Sequence, residues 1–106
     1  MMKANENILQ KIKMLVQQQE PTAKIYLYGS RARGNARTDS DWDLLILLNQ
    51  DKITTEIESR ITYPLYDLEF DTGEIISPMV YSENEWKTKY RITPFYSNVM
   101  NEGVLL

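Results

Sequence analysis

Cysteine and histidine are both absent from this chain of 106 residues. The first absence excludes disulfides, thiolate nucleophiles and Cys-based zinc sites, and makes a reducing compartment the default. The second removes the commonest general base, every Ser-His or Cys-His triad, and the usual zinc and haem ligands. Any chemistry must therefore rest on carboxylates, cations or an oxygen-bound metal. Long apolar runs are missing too. The longest, Leu44 to Leu48, is far too short to span a bilayer, and Met1 to Glu6 offers no signal-peptide hydrophobic region. The chain is expected to be soluble and cytoplasmic, with no membrane partner. Excess basic charge is lacking as well: the net charge of -3 argues against a broad grip on nucleic acid but leaves a small phosphorylated ligand compatible.

With 42% hydrophobic and 25% charged residues the composition is that of a folded domain, which excludes disordered and fibrous classes. The length suits a single domain over residues 1–106, with little room for a separate substrate module. No internal repeat, linker or low-complexity tract interrupts it.

Ile8, Ile12, Leu15 and Val16 recur at helical spacing and predict an amphipathic helix over 5–19, ended by Glu20-Pro21. Lys24 to Tyr28 alternates and reads as a strand, followed by a turn or short helix at Gly29-Ser30. Asp41 to Leu48 is the second strand. Ile53, Ile57, Ile61, Leu65 and Leu68 favour a helix from about Lys52 toward Phe70, closed by Gly73. Pro64 lies inside it, so the expectation is a kinked or restarted helix, with Leu65 to Phe70 as a strand the competing reading. Glu74 to Tyr81 reads as a third strand. Ser82 caps a helix carrying Trp86 and Tyr90, and Thr93-Pro94 opens another toward Met100. The order of elements predicts a small two- or three-layer α/β domain. Trp86, Tyr90, Phe95 and Tyr96 are read as core or dimer surface, and Met79 and Met100 as filler.

The segment Gly29 to Asp43, G-S-R-A-R-G-N-A-R-T-D-S-D-W-D, carries the chemical signal. Asp41 and Asp43 on one strand share a face, with Cα atoms about 6.6 Å apart, while Trp42 points the other way. The unbroken apolar run after them marks an interior strand, so two like charges open it and repel unless a cation or proton intervenes. Carboxylate oxygens suit Mg²⁺ or Mn²⁺. Gly29 allows a close turn, and Ser30 can cap a helix whose free N–H groups bind phosphate. Arg31, Arg33 and Arg37 place three cations within seven residues and could clamp a triphosphate. Taken singly, an Asp-x-Asp pair is more often an exposed strand end, and a Gly-Ser with nearby arginines a solvated turn. Together they form a phosphate cradle, a cationic clamp and a metal pair.

On these residues, G-S-R-A-R-G followed by D-S-D-W-D-L-L-I, the chain resembles the minimal nucleotidyltransferases of the DNA polymerase beta superfamily over roughly residues 5–86. The resemblance implies a small mixed sheet flanked by helices. It also implies that Gly29 and Ser30 bind a nucleoside triphosphate, ATP by similarity, and that Asp41 and Asp43 hold two Mg²⁺ ions for transfer of a nucleoside monophosphate to a hydroxyl of a protein or small acceptor. A HEPN-type companion protein or a second copy would supply the other wall of the cleft. The family pattern also expects a third carboxylate. If Glu74 to Val80 is the strand concerned, Ser77 falls near that place; if Leu65 to Phe70 is the strand, Glu69, on the same face as Asp67, is the substitute. A catalytically weak subunit that binds and neutralises its partner is the alternative reading.

Overall fold

Strand β2, Trp42–Leu48, is the axis of the molecule, and its residues from Leu44 onward are buried on both faces. In the computed structural model, which describes residues 4–106, it runs antiparallel to β1, Lys24–Tyr28, and parallel to β3, Ile76–Ser82. A two-residue strand, β4, Val104–Leu105, pairs antiparallel with the far side of β1, giving the order β3-β2-β1-β4. The fold is therefore the mixed sheet flanked by helices that the sequence suggests.

Parallel neighbours need a long crossover, and helix α3, Thr55–Thr72, supplies it between β2 and β3. Together with α1, Ala4–Gln19, it covers one face of the sheet. There Ile8, Ile12 and Val16 of α1 and Ile61, Leu65 and Leu68 of α3 meet Ile25, Leu27, Trp42, Leu44, Ile46 and Leu48. The other face meets α4, Glu83–Thr88, and α5, Pro94–Glu102, through Leu45, Leu47, Trp86 and Val99 with a surround of tyrosines and Phe95.

The helix ends follow their capping chemistry. The side chains of Thr54, Ser82 and Thr93 accept from Ile57 N, Glu85 N and Tyr96 N at 3.2, 3.3 and 3.1 Å. Gly73 closes α3 in the left-handed conformation, its N–H donating to Glu69 O. Pro64 neither stops nor restarts the helix. It removes the donor for one carbonyl, that of Arg60, while Ile61 and Leu65 on either side lock into the core at 1% and 0% exposure. The competing strand over Leu65 to Phe70 is thereby excluded. Further boundaries differ from expectation: α3 begins at Thr55 rather than near Lys52, β2 begins at Trp42, leaving Asp41 just ahead of the ladder, β3 begins at Ile76 rather than Glu74, and α4 stops at Thr88, short of Tyr90.

Candidate nucleotide and metal site

Three strands bring three different side chains to one place. In the ladder register Tyr28 of β1 lies opposite Asp43 of β2, and Asp43 lies beside Ser77 of β3, all on the face that bears α4 and α5. The strand starts are tied together by Trp42 N, which donates to Ile75 O at 2.8 Å. Asp41 stands exposed at the rim, where Ser77 Oγ donates to its Oδ2 at 3.2 Å.

Gly29 ends β1 and turns the chain into α2, Ser30–Arg33, with φ of 76°. A Cβ on Gly29 would overlap Oδ2 of Asp43, so glycine is required both by the backbone conformation and by the approach of the carboxylate. The helix cap is Gly29 itself, without a side-chain hydrogen bond, and Gly29 O accepts from Ala32 N and Arg33 N at 3.1 Å each. Ser30, expected as the cap, is instead the first helical residue. The backbone of Gly29-Ser30 and the Asp43 carboxylate thus form the two sides of one crevice.

The electrostatics report the crowding of negative charge. Burial, and next the charge of Asp41, push the Asp43 carboxyl above its ordinary value, while the Arg33 cation pulls it back. Burial, then the charge of Asp43, then Tyr81, push the Tyr28 hydroxyl up to about 12, so it stays a neutral donor at physiological pH.

The expected cations divide. Arg31 is committed elsewhere: its guanidinium donates to Ser40 O at 2.9 and 3.3 Å and to Thr38 O at 3.3 Å, and lies 4.1 Å over the Trp42 ring. It also meets Glu74 at 3.6 Å, and its side chain is only 9% exposed. A guanidinium bonded through Nε and Nη2 to two loop carbonyls and stacked on an indole braces the loop that delivers Asp41. Arg33 is the cation that acts on Asp43. It is half-exposed and ion-paired with Glu102 of α5 at 3.1 Å, a partner a phosphate could replace. Arg37 is exposed, and its backbone N–H donates to Ser40 Oγ at 2.8 Å in the loop.

Glu69 does not join the pair. Its premise was a strand where the chain is helical, and on α3 its Oε2 accepts from Ile76 N at 2.7 Å, fixing the start of β3. Asp67 turns toward α1, where it lines a groove with Lys11 and Met14. Among the described residues no third acidic side chain completes a metal-binding cluster with Asp41 and Asp43. Ser77 is the residue beside Asp43 in the β2–β3 register. Glu74 and Glu102, which hold Arg31 and Arg33, were not singled out by the sequence, since partners 43 and 69 residues away leave no local signal. Tyr28 was within reach of inference, being the residue that pairs with Asp43 once the two strands are placed antiparallel. A concavity of about 720 Å³ runs along α1 past Asn7, Met14 and Gln18, and among the described residues its lining holds no acid and lies apart from this chemistry.

The geometry has the stamp of a known class, and the chain belongs to the polymerase beta nucleotidyltransferase family, whose model matches residues 10–105. No curated protein matches significantly. Among solved structures, a toxin–antitoxin crystallised with AMP-PNP superposes with a TM-score of 0.64 at 20% identity, covering 91% of this chain and 69% of that one. A mutant of the MntA-HpeT toxin–antitoxin gives 0.58 at 20% identity, covering 98% and 72%. At such identity the likeness is one of fold.

The family implies divalent ions, and the residues answer that in part. Asp41 and Asp43 are hard oxygen donors whose mutual repulsion a cation would relieve, beside a glycine that lets a phosphate-bearing ligand approach. They suit one ion. For a second, Ser77 offers an uncharged oxygen beside Asp43 in the β2–β3 register, and among the described residues no further carboxylate joins the pair.

Proposed function

We propose that this domain binds a nucleoside triphosphate, ATP by resemblance, with a divalent cation, and transfers its nucleoside monophosphate to a hydroxyl of a protein or small acceptor. The reading rests on one observation: Gly29 can be nothing larger because the Asp43 carboxylate occupies the space of its side chain, which couples the turn expected to cradle phosphate to the acid expected to hold metal. Asp41 and Asp43 would hold Mg²⁺ or Mn²⁺, which when bound supplies charge neutralisation of the phosphates. The N–H groups at Gly29-Ser30 would donate to the phosphate oxygens, and Arg33, now paired with Glu102, would turn to them. In the transfer the acceptor oxygen forms a bond to the α-phosphorus, the bond to the β-phosphate bridging oxygen breaks, and pyrophosphate leaves. The acceptor proton passes to a carboxylate of the pair or to water.

A second reading, a non-catalytic subunit that binds and neutralises a HEPN-type companion, has its own support. Tyr63, Tyr66 and Phe70 form an exposed stripe on α3, with Phe70 90% exposed, and among the described residues no third acid joins the site. The two solved structures described above are both of toxin–antitoxins. Incubation with labelled ATP, Mg²⁺ and the product of the adjacent gene decides between them. Label on the companion that disappears in Asp41→Asn/Asp43→Asn supports transfer. Tight complex formation with no label from any nucleotide supports the second reading, and label that persists in the double variant refutes the assigned roles.

A further inference from the structure

We infer that Ser77 restricts the site to one tightly held divalent ion, the one that accompanies the triphosphate; this rests on the nucleotide-binding reading above. Among the described residues no third acid forms a metal-holding cluster with Asp41 and Asp43, and the candidates on α3 and just ahead of β3 are placed elsewhere. Glu69 accepts from Ile76 N at 2.7 Å, Glu74 accepts from the Trp42 indole N–H at 3.0 Å, and Asp67 lies in the groove beside Lys11. The place beside Asp43 in the β2–β3 register is filled by a hydroxyl, and that hydroxyl donates to Asp41 Oδ2 at 3.2 Å.

The charge count follows. The triphosphate oxygens neutralise the ion they carry, whereas on the acceptor side only the two shared carboxylates remain, and paired ions in two-metal sites sit only about 3.5–4 Å apart. A second ion would have to share Asp41 and Asp43 with the first, against strong cation–cation repulsion at that separation. A serine oxygen can join a coordination shell, but it brings no charge to offset that repulsion. Its proton also already satisfies one lone pair of Asp41, an interaction the second ion would have to displace. Ser77 is therefore a determinant of metal number rather than a spectator at the strand edge.

The test is a Mn²⁺ titration of the full chain saturated with a non-hydrolysable ATP analogue, read by electron paramagnetic resonance of free and bound Mn²⁺. Wild type should bind one ion tightly per chain, and Ser77→Ala should also bind one. Ser77→Asp should bind two, with the second ion held about tenfold or more tighter than in wild type. Two tight ions in wild type, or a Ser77→Asp variant that folds and stays at one, would overturn the inference and leave nucleotide binding intact. No analogue or ion bound to wild type would overturn the parent reading itself. Should Ser77→Asp fail to fold by circular dichroism, the wild-type and Ser77→Ala counts decide alone.

Discussion

On one face of the sheet Leu44, Ile46 and Leu48 meet Ile12, Val16, Ile61 and Leu65, none of them more than 1% exposed. On the other, Leu45 and Leu47 meet Trp86 and a set of rings that keep part of their surface in water, with Tyr81 stacked on Tyr90 at 4.8 Å and Phe95 edge-on to Tyr28 at 5.3 Å. The first face is aliphatic and closed by two long helices. The second is aromatic, covered by two short ones, and it gives out at the end of the strands where Asp43, Tyr28 and Ser77 lie. A ligand can reach the carboxylates there, yet they are buried enough for Asp43 to feel reduced solvation. The difference teaches where each task resides: the aliphatic side holds the fold, and the aromatic side leaves an opening at its rim.

Substitutions that separate the two faces should show unequal effects. Leu44→Ala, on the closed face at 0% exposure, should destabilise by about 3–4 kcal/mol in denaturant unfolding, because tightly packed helices cannot collapse into the cavity. An effect near 1 kcal/mol would mean that this face is no better packed than the other. Arg31→Ala should follow at about 2 kcal/mol, from loss of the Trp42 stacking and of bonds to two loop carbonyls. If it instead weakened nucleotide binding with unchanged stability, Arg31 would be a clamp and not a brace. Phe95→Ala should come lower, about 1–2 kcal/mol, since its ring is only partly buried and neighbouring rings can close over the gap.

The smallest effect has the opposite sign. Asp43 has its folded pKa raised above the ordinary 3.8, so the folded state binds its proton more readily than the unfolded chain. The stability associated with that proton is fully present below the unfolded value and is lost as pH rises through the folded one. At neutral pH Asp43→Asn should therefore stabilise the metal-free protein. The rise in Tm should be about 1–3 °C after allowance for solvent screening, and should vanish below about pH 4 in thermal melts across pH. A variant less stable than wild type at pH 7 would show that the carboxylate is held by a favourable partner rather than disfavoured by burial and by Asp41.

Much of the fold was legible because its signals are local. The caps at Ser82 and Thr93, the Gly73 closure and the apolar run of β2 each follow from side chains a few residues apart. Strand β4 was not, since two exposed residues paired to β1 carry no periodicity. Pro64 left a strand over Leu65 to Phe70 open in the sequence; the helix continues through it, where packing of Ile61 and Leu65 outweighs one missing hydrogen bond. In the site, the Gly29–Asp43 approach fits the chemistry expected of that motif, whereas the three arginines looked equivalent in sequence. Only their tertiary partners, Trp42 and Glu74 for Arg31 and Glu102 for Arg33, tell them apart. The third-ligand position likewise depended on whether Leu65 to Phe70 was helix or strand, which decides between Glu69 and Ser77.

The central claim is that the opening at the rim of the aromatic face is a metal-dependent nucleotide site built on Asp41, Asp43 and Gly29. Isothermal titration of ATP into the protein with and without Mg²⁺, for wild type and Asp43→Asn, tests it most directly. Binding in wild type should require Mg²⁺ and should weaken by about tenfold or more in the variant. Binding that is indifferent to Mg²⁺ and equal in the two proteins would contradict it.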